Sequence, residues 1–432
     1  IYMRYDPIDN LLFKNNRTKF LKKMDPNSIA FFNSNDNYPV SADTTLPFEQ
    51  HRDLFYMTGV NQEKSILILK TNGPNESENE FLFITKPNKT MIHWEGEKLN
   101  PKSAFHVSGI KDVFWLNDLN KKIDELMNSV ENIYINNNEH YRANVETETR
   151  EERFNKWIKK KYFKKNIKKS NPILQRLRAV KEPAEIDLIK KACSITEKGF
   201  RRVLEFVKPG VWEYEIEAEF SHEFIKNRSK KFAYSPIIAS GLNSTILHYT
   251  NNNRQCKKNE LVLMDVGAEY ANYSSDMTRT IPVSGKFSKR QKAVYKSVLY
   301  VKNEATKLLR PGIMWKDHHV EVGKIMTSEL LKLKLLDKAD IQNETKKNPA
   351  FKKYFTHGTS HHLGLDTHDY GDIFHPVEKN NVFTVEPGIY IPKEGFGIRL
   401  EDDVVVMESG DPINLMKNIP IEIDEIESLM ND

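Results

Sequence analysis

Short apolar runs alternate with amphipathic stretches through the first third of the chain. "SIAFFNS" from Ser28, "SILILK" from Ser65 and "EFLFIT" from Glu80 are rich in β-branched and aromatic residues and predict strands, whereas Leu116 to Val130 has helical spacing. That alternation predicts an α/β domain. Arg150 to Ser170 carries eight lysines between Lys156 and Lys169, with Trp157, Ile158, Phe163 and Ile167 available as a buried stripe. This pattern predicts the solvated face of a domain-linking helix. The boundary is expected near Asn171 and Pro172, giving domains of residues 1–171 and 172–432.

The pattern then lengthens. A helix is predicted from Pro183, a favoured first-turn residue, with Leu188, Ala192, Ile195, Gly199, Val203 and Phe206 at helical spacing and an end at "KPG". A similar helix follows Ser288, an N-cap candidate, and ends at "RPG". "VKPGVWEYE" from Val207 resembles "LRPGIMWKD" from Leu309, and each stands between two helical patterns. The repetition is consistent with two related halves and a site in the cleft between them.

"LVLMDVGAEYANYSSDMTRTIPV", Leu261 to Val283, reads as a buried strand pair, yet it carries Asp265 and Asp276. A hairpin centred near Tyr270 and Ala271 places these two acids opposite one another, on one face of the sheet with β-carbons about 5 Å apart. Two like charges held that close and away from water require a positive partner. "FTHGTSHHLGLDTHDYGD", Phe355 to Asp372, adds His357, His361, His362 and His368 among glycines. Of the adjacent pair His361 and His362, at most one can reach a given ion if the segment is extended. Glu386 closes the strand "NVFTVEPG", and Glu401 lies in "GIRLEDDVVV", where Arg399, Glu401 and Asp403 share a strand face. Either glutamate alone reads as an ordinary strand-end or ladder residue, but four acids that end or interrupt apolar runs form an expensive pattern. Asp265, Asp276, His361, Glu386 and Glu401 supply four carboxylates and one imidazole. Two divalent ions about 3.5 Å apart can absorb that charge. Oxygen-rich ligation with one nitrogen favours manganese, with zinc, cobalt or iron(II) as alternatives.

Composition narrows the class. At 432 residues two domains are expected, and the net charge of +5 is too small and scattered to argue for nucleic acid. Cys193 and Cys256 offer neither a disulfide framework nor a thiolate metal site, which fits a reducing compartment. No apolar run approaches a membrane span, and the start has neither a signal core nor a transit pattern. Met3 reads as the natural start, with Ile1 and Tyr2 left over ahead of it; a processed precursor would look the same.

"ILHYT", the paired aspartates, "HGTSHHLGLDTHD", "TVEPG" and "GIRLEDD", in this order, resemble the aminopeptidase P and prolidase branch of the pita-bread metallopeptidases, relatives of methionine aminopeptidase and creatinase. "FEQHRDLFYMTG" from Phe48 and "WEGEKL" from Trp94 are similar to the amino-terminal domain of aminopeptidase P. The resemblance implies an α/β (α+β) chain, with a smaller creatinase-like domain preceding a catalytic pita-bread domain of two related halves. It implies Asp265, Asp276, His361, Glu386 and Glu401 as metal ligands. His248, His357 and His368 would line the substrate side, with Arg399 holding a ligand or the substrate carboxylate. Glu386 would transfer the proton to the leaving proline nitrogen. The implied activity is release of the first residue from peptides with proline second. A prolidase confined to dipeptides and a non-catalytic pita-bread binding protein are the alternatives. A homodimer or homotetramer is implied, with a cytoplasmic or alternatively mitochondrial location and no nucleic-acid or membrane partner. His362, where relatives often carry an apolar residue, and "FEQHRD", which varies on an arginine-containing form, depart from the pattern and bear on substrate preference.

Overall fold

The computed structural model describes residues 3–71, 80–371 and 374–431; Ile1, Tyr2 and Asp372, which enter the sequence readings above, lie outside them. The chain divides into two compact units, Ile1–Leu177 and Arg178–Asp432. The division falls inside a helix, Asn171–Ala179, that starts where the sequence suggests a boundary.

The first unit is built on a six-stranded mixed sheet of β1 (Ser28–Asn33), β2 (Ile66–Lys70), β3 (Glu80–Ile84), β4 (Asp112–Trp115), β5 (Asn132–Ile135) and β6 (Asn166–Lys169), in the order β4-β3-β2-β1-β5-β6. The three apolar runs noted in the sequence are β1, β2 and β3. On one face, Ile29, Phe31, Ile66, Ile68, Phe81 and Phe83 pack with Ile123 and Met127 of helix α3 (Leu119–Met127) and Ile158 of α4 (Arg150–Lys161). Phe13 of α1 (Leu11–Leu21) meets Phe55 of α2 (Arg52–Thr58) edge to face, and Phe20 meets Phe32 in the same way. The lysine-rich segment is not one helix. It leaves helical geometry at Tyr162 and returns as β6, an edge strand parallel to β5. Ile158 is buried as expected, but Phe163 is 75% exposed in the turn that follows the helix, and Ile167 on β6 faces solvent, because a strand's two-residue alternation cannot continue a helical stripe.

The second unit runs twice through one order of elements. Helix α5 (Pro183–Phe206) is followed by α6 (Glu213–Lys226), and α7 (Lys289–Leu308) by α8 (Trp315–Lys332). The turns between them hold Gly210 at φ 101 and Gly312 at φ 94 with open space around each α-carbon, so backbone conformation selects glycine at both. Leu188, Ala192, Ile195, Gly199 and Val203 form the buried face of α5, and Gly199 lets Phe220 and Phe224 of α6 approach. Ser288 caps α7 by accepting from the Gln291 amide at 3.2 Å. In the first half β7 (Ile237–Ser240), β8 (Leu261–Val266) and β11 (Met277–Pro282) form a sheet in the order β11-β8-β7, extended by the short pair β9 (Glu269–Tyr270) and β10 (Tyr273–Ser274). In the second half β12 (Val382–Val385) pairs with β15 (Asp402–Val405), and β13 (Gly388–Ile391) with β14 (Phe396–Arg399). Among the described residues no helix is long and apolar enough to cross a membrane.

Candidate metal centre and active site

The aspartate hairpin turns two residues away from the expected register. Asp265 faces Thr278, not Asp276, and Tyr270 faces Tyr273. The turn is therefore Ala271–Asn272, both in the left-handed region at φ 52 and 67, the two-residue geometry that matches strand twist. Side-chain direction alternates with a period of two, so this shift leaves both acids on one face, diagonal instead of opposed. Gly267 permits the crossing between β8 and β9, since a β-carbon there would lie 1.8 Å from the Ser275 carbonyl oxygen.

Between the two acids lies the Tyr234 hydroxyl, 2.6 Å from Asp265 Oδ1 and 2.5 Å from Asp276 Oδ1. One phenolic proton cannot serve both acceptors, which leaves the second carboxylate in need of a proton or a cation. His361 Nε2 stands 3.3 Å from Asp276 Oδ2 and 3.9 Å from Glu386 Oε1. Its other nitrogen is 2.9 Å from the His362 carbonyl oxygen. A carbonyl only accepts, so Nδ1 carries the hydrogen and Nε2 presents a lone pair towards the acids. Ligand atoms of Asp276, His361 and Glu401 all lie within 4.8 Å of one another. A lone pair facing buried carboxylates fits a cation between them, and the hydrogen bond that fixes the ring is the usual outer support of a metal-bound histidine. His362 turns the other way, onto Phe383 and Trp315, as the extended geometry of the pair requires.

The run expected as one strand around Glu401 is two. β14 and β15 belong to different sheets, and Leu400–Glu401 crosses between them, with the Glu401 amide donating to the Thr278 carbonyl at 3.1 Å. Arg399 and Glu401 both reach the acid cluster. Arg399 Nη2 donates to Asp265 Oδ2 at 2.5 Å, and Glu401 Oε2 accepts from the Thr278 hydroxyl at 2.6 Å. Asp403 instead accepts from the backbone amide of Asp276 at 3.0 Å. Burial, then the neighbouring Asp265, pushes Asp276 well above the usual carboxylate range. Burial, then Asp276 and Glu386, does the same to Glu401. Burial raises Glu386 to about 7, against the opposing pull of His361 and Arg399. These acids cannot all be ionised at neutral pH without added positive charge.

The remaining histidines lie around this cluster. His357 sits 3.6 Å from Glu386 Oε2 and 2.7 Å from the Tyr390 hydroxyl. Burial and the Arg399 guanidinium lower its pKa to about 3, so it is neutral. His368 is exposed, its ring perpendicular to that of His361 with centroids 4.4 Å apart. His248 is exposed on the loop after β7, near enough to His357 to act on its ionisation. The structure thus gathers Asp265, Asp276, His361, Glu386, Glu401, Arg399 and His357, and sets His368 and His248 outside the acids. Sequence reasoning missed Tyr234, Tyr390, Thr278 and Thr384, whose hydroxyl accepts from the His361 amide at 3.2 Å. Thr278 was findable, standing two residues from Asp276 on the same strand face; "FAYSPII" gives Tyr234 no comparable signal.

Comparison with known proteins agrees with this geometry. Residues 187–408 match the model of metallopeptidase family M24, and residues 13–134 that of the aminopeptidase P N-terminal domain. The Xaa-Pro aminopeptidase of Escherichia coli K12 is 33% identical over 97% of each chain. Human Xaa-Pro aminopeptidase 3 is 30% identical over 92% of this chain and 79% of its own. Zinc-substituted E. coli aminopeptidase P, solved in complex with product, superposes with a TM-score of 0.87 at 31% identity, covering 99% of both chains. The chain belongs to the aminopeptidase P branch of metallopeptidase family M24.

Proposed function

We propose that this chain is a metal-dependent Xaa-Pro aminopeptidase, a hydrolase that releases the first amino acid from peptides with proline at the second position. The observation that carries this is the buried set Asp276, His361 and Glu401, whose ligand atoms lie within 4.8 Å of one another. Asp265, Asp276, His361, Glu386 and Glu401 would hold two divalent ions, which when bound lower the pKa of water and polarise the scissile carbonyl. Manganese is our assignment, because the set offers mostly carboxylate oxygen and no sulfur.

Each residue then has a task set by its surroundings. Glu386, partly exposed, can take a proton from water and return it to the leaving proline nitrogen. Neutral His357 keeps its hydrogen on Nδ1, 2.8 Å from the Gly358 carbonyl, and takes the Tyr390 hydroxyl on Nε2, so it would have to release the carbonyl to donate to the developing oxyanion. His368 and His248 are exposed beside the cluster and would face the substrate. Arg399 orients Asp265 through Nη2 while Nη1 donates to the Tyr390 hydroxyl at 2.8 Å, tying the acid cluster to His357. Relatives of similar full length favour the longer-peptide reading over a prolidase. A homodimer or homotetramer in the cytoplasm is the assembly and compartment we assign, the latter because both cysteines are free and buried.

The test is metal analysis of the purified chain paired with turnover of a tripeptide and a dipeptide, each with proline second. Metal-dependent release of the first residue from the tripeptide is expected. Turnover of the dipeptide alone would assign a prolidase, and a chain that binds no divalent metal would be a binding protein.

A further inference from the structure

The loop that carries His248, residues 241–254, is closed at both ends by a buried carboxylate outside the metal cluster. Glu213 is the first residue of α6 and is fully buried. Its Oε1 accepts from the Ser240 amide and hydroxyl, both at 2.7 Å, and from Asn243 Nδ2 at 3.4 Å. Its Oε2 accepts from the Tyr249 hydroxyl at 2.7 Å and the Arg254 amide at 2.9 Å. Ser240 and Arg254 are the two ends of the loop, and Tyr249 is the residue after His248. Arg254 reinforces the closure, with Nη1 donating to the Ser240 carbonyl at 3.0 Å and both terminal nitrogens held by Glu260. At the far side the Ser244 hydroxyl accepts from the Gly397 amide at 2.7 Å, beside Arg399 on β14. The loop is thus pinned on both sides of an exposed histidine.

We propose that Glu213 is a positioning residue that sets His248 against the substrate by clamping both ends of its loop. The proposal rests on the aminopeptidase reading for its functional half. The clamp depends on a carboxyl group, whose two oxygens both accept. In Glu213→Gln one of these oxygens becomes an NH2 group that meets donors. A loop displaced by about 1 Å loses much of the advantage of a pre-placed side chain, for which a tenfold to hundredfold fall in kcat/KM is a reasonable order.

The experiment uses the full metal-loaded chain as wild type, E213Q, H248A and the double variant. Hydrogen exchange is read over residues 241–254, with β12 as an internal reference, and metal content is measured for each. The expected result is faster exchange in the loop of E213Q, unchanged exchange in β12, unchanged metal content, and about a tenfold loss of kcat/KM that vanishes when His248 is already alanine. Unchanged loop exchange in E213Q overturns the proposal whether or not the chain cleaves any peptide. A loss of kcat/KM equally large in the H248A background overturns it too, since that is what a role in stability alone would give. A wild-type chain that cleaves no proline-second peptide refutes the aminopeptidase reading, while the exchange result still decides the clamp.

Discussion

Glu401 and Asp402 are adjacent in the chain and almost equally buried, yet their charges are met in opposite ways. Burial alone would raise Asp402, but Arg279 and Lys302 outweigh it and hold this acid below the usual carboxylate range. Arg279 Nη2 donates to it at 2.6 Å, Asn414 Nδ2 at 2.8 Å, and Lys302 forms a further ion pair. Burial raises Glu401 too, and here Asp276, Glu386 and Asp265 add to it while Arg399 opposes them, so its pKa rises. One crossing between strands therefore separates an acid neutralised from within the fold from one whose group lacks sufficient internal positive charge. The difference is the physical argument for a metal centre, and each variant below tests one side of it.

The largest effect is expected at Glu401. Glu401→Gln removes one of the charges that hold the ions, so bound metal should fall and kcat/KM should drop by roughly a thousandfold or more. The same change relieves repulsion, so the metal-free variant should be more stable to urea than the metal-free wild type. A variant that keeps both its metal and its turnover would place the centre elsewhere.

Asp402→Asn makes the opposite break, leaving Arg279 and Lys302 buried without their acid. Removing one partner of a buried ion pair costs about 3–5 kcal/mol, and the loss should appear in urea unfolding even with metal at saturation. If Asp402→Asn and Glu401→Gln change metal-free stability in the same direction, the contrast between the two acids is wrong.

Removing the metal should turn the contrast into a pH dependence. In the metal-free chain Glu386 titrates at about 7 instead of near 4.5. A carboxyl raised by folding contributes stability that is intact below its unfolded pKa and is lost as pH rises through the folded one. The metal-free protein should therefore lose about 3 kcal/mol between pH 4.5 and 7 from this group. Metal holds the acids ionised, so the loaded protein should lack that slope. Urea midpoints at several pH values, with and without chelator, measure the difference.

Much of this was legible in the chain. Four of the five proposed ligands stand out because each acid ends or interrupts an apolar run, and that cost is visible without coordinates; His361 stands out by its cluster of histidines. The register was not legible. Ala271 and Asn272 taking left-handed conformations moved the turn by one residue and so the pairing by two, and only the even size of that register shift kept Asp265 and Asp276 on one face. The break at Leu400 was hidden as well, because an alternating apolar run looks the same whether it stays in one sheet or changes sheets. Tyr234 was invisible for another reason: it reaches the aspartates from a distant part of the chain, and no local pattern records such a contact.

Thr278 joins the two regions and should give the smallest effect. Its carbonyl accepts from Arg279 Nη1 at 3.0 Å and from the Glu401 amide, so its backbone serves the neutralised side. Its hydroxyl serves the other, donating to Glu401 Oε2 at 2.6 Å and accepting from Arg399 Nε at 3.1 Å. Thr278→Val keeps the shape and the backbone bonds and deletes only the hydroxyl. If the hydroxyl orients Glu401 for an ion, metal affinity should weaken about tenfold, the lower end for loss of an outer-shell bond to a ligand. Thr278→Ser should restore it. Stability at saturating metal should change by no more than about 1 kcal/mol, the ordinary worth of one hydrogen bond. A valine variant that binds metal as tightly as wild type but unfolds several kcal/mol sooner would mean that Thr278 supports the Arg279–Asp402 side alone, and that Glu401 is held in place by its backbone bond to Thr278.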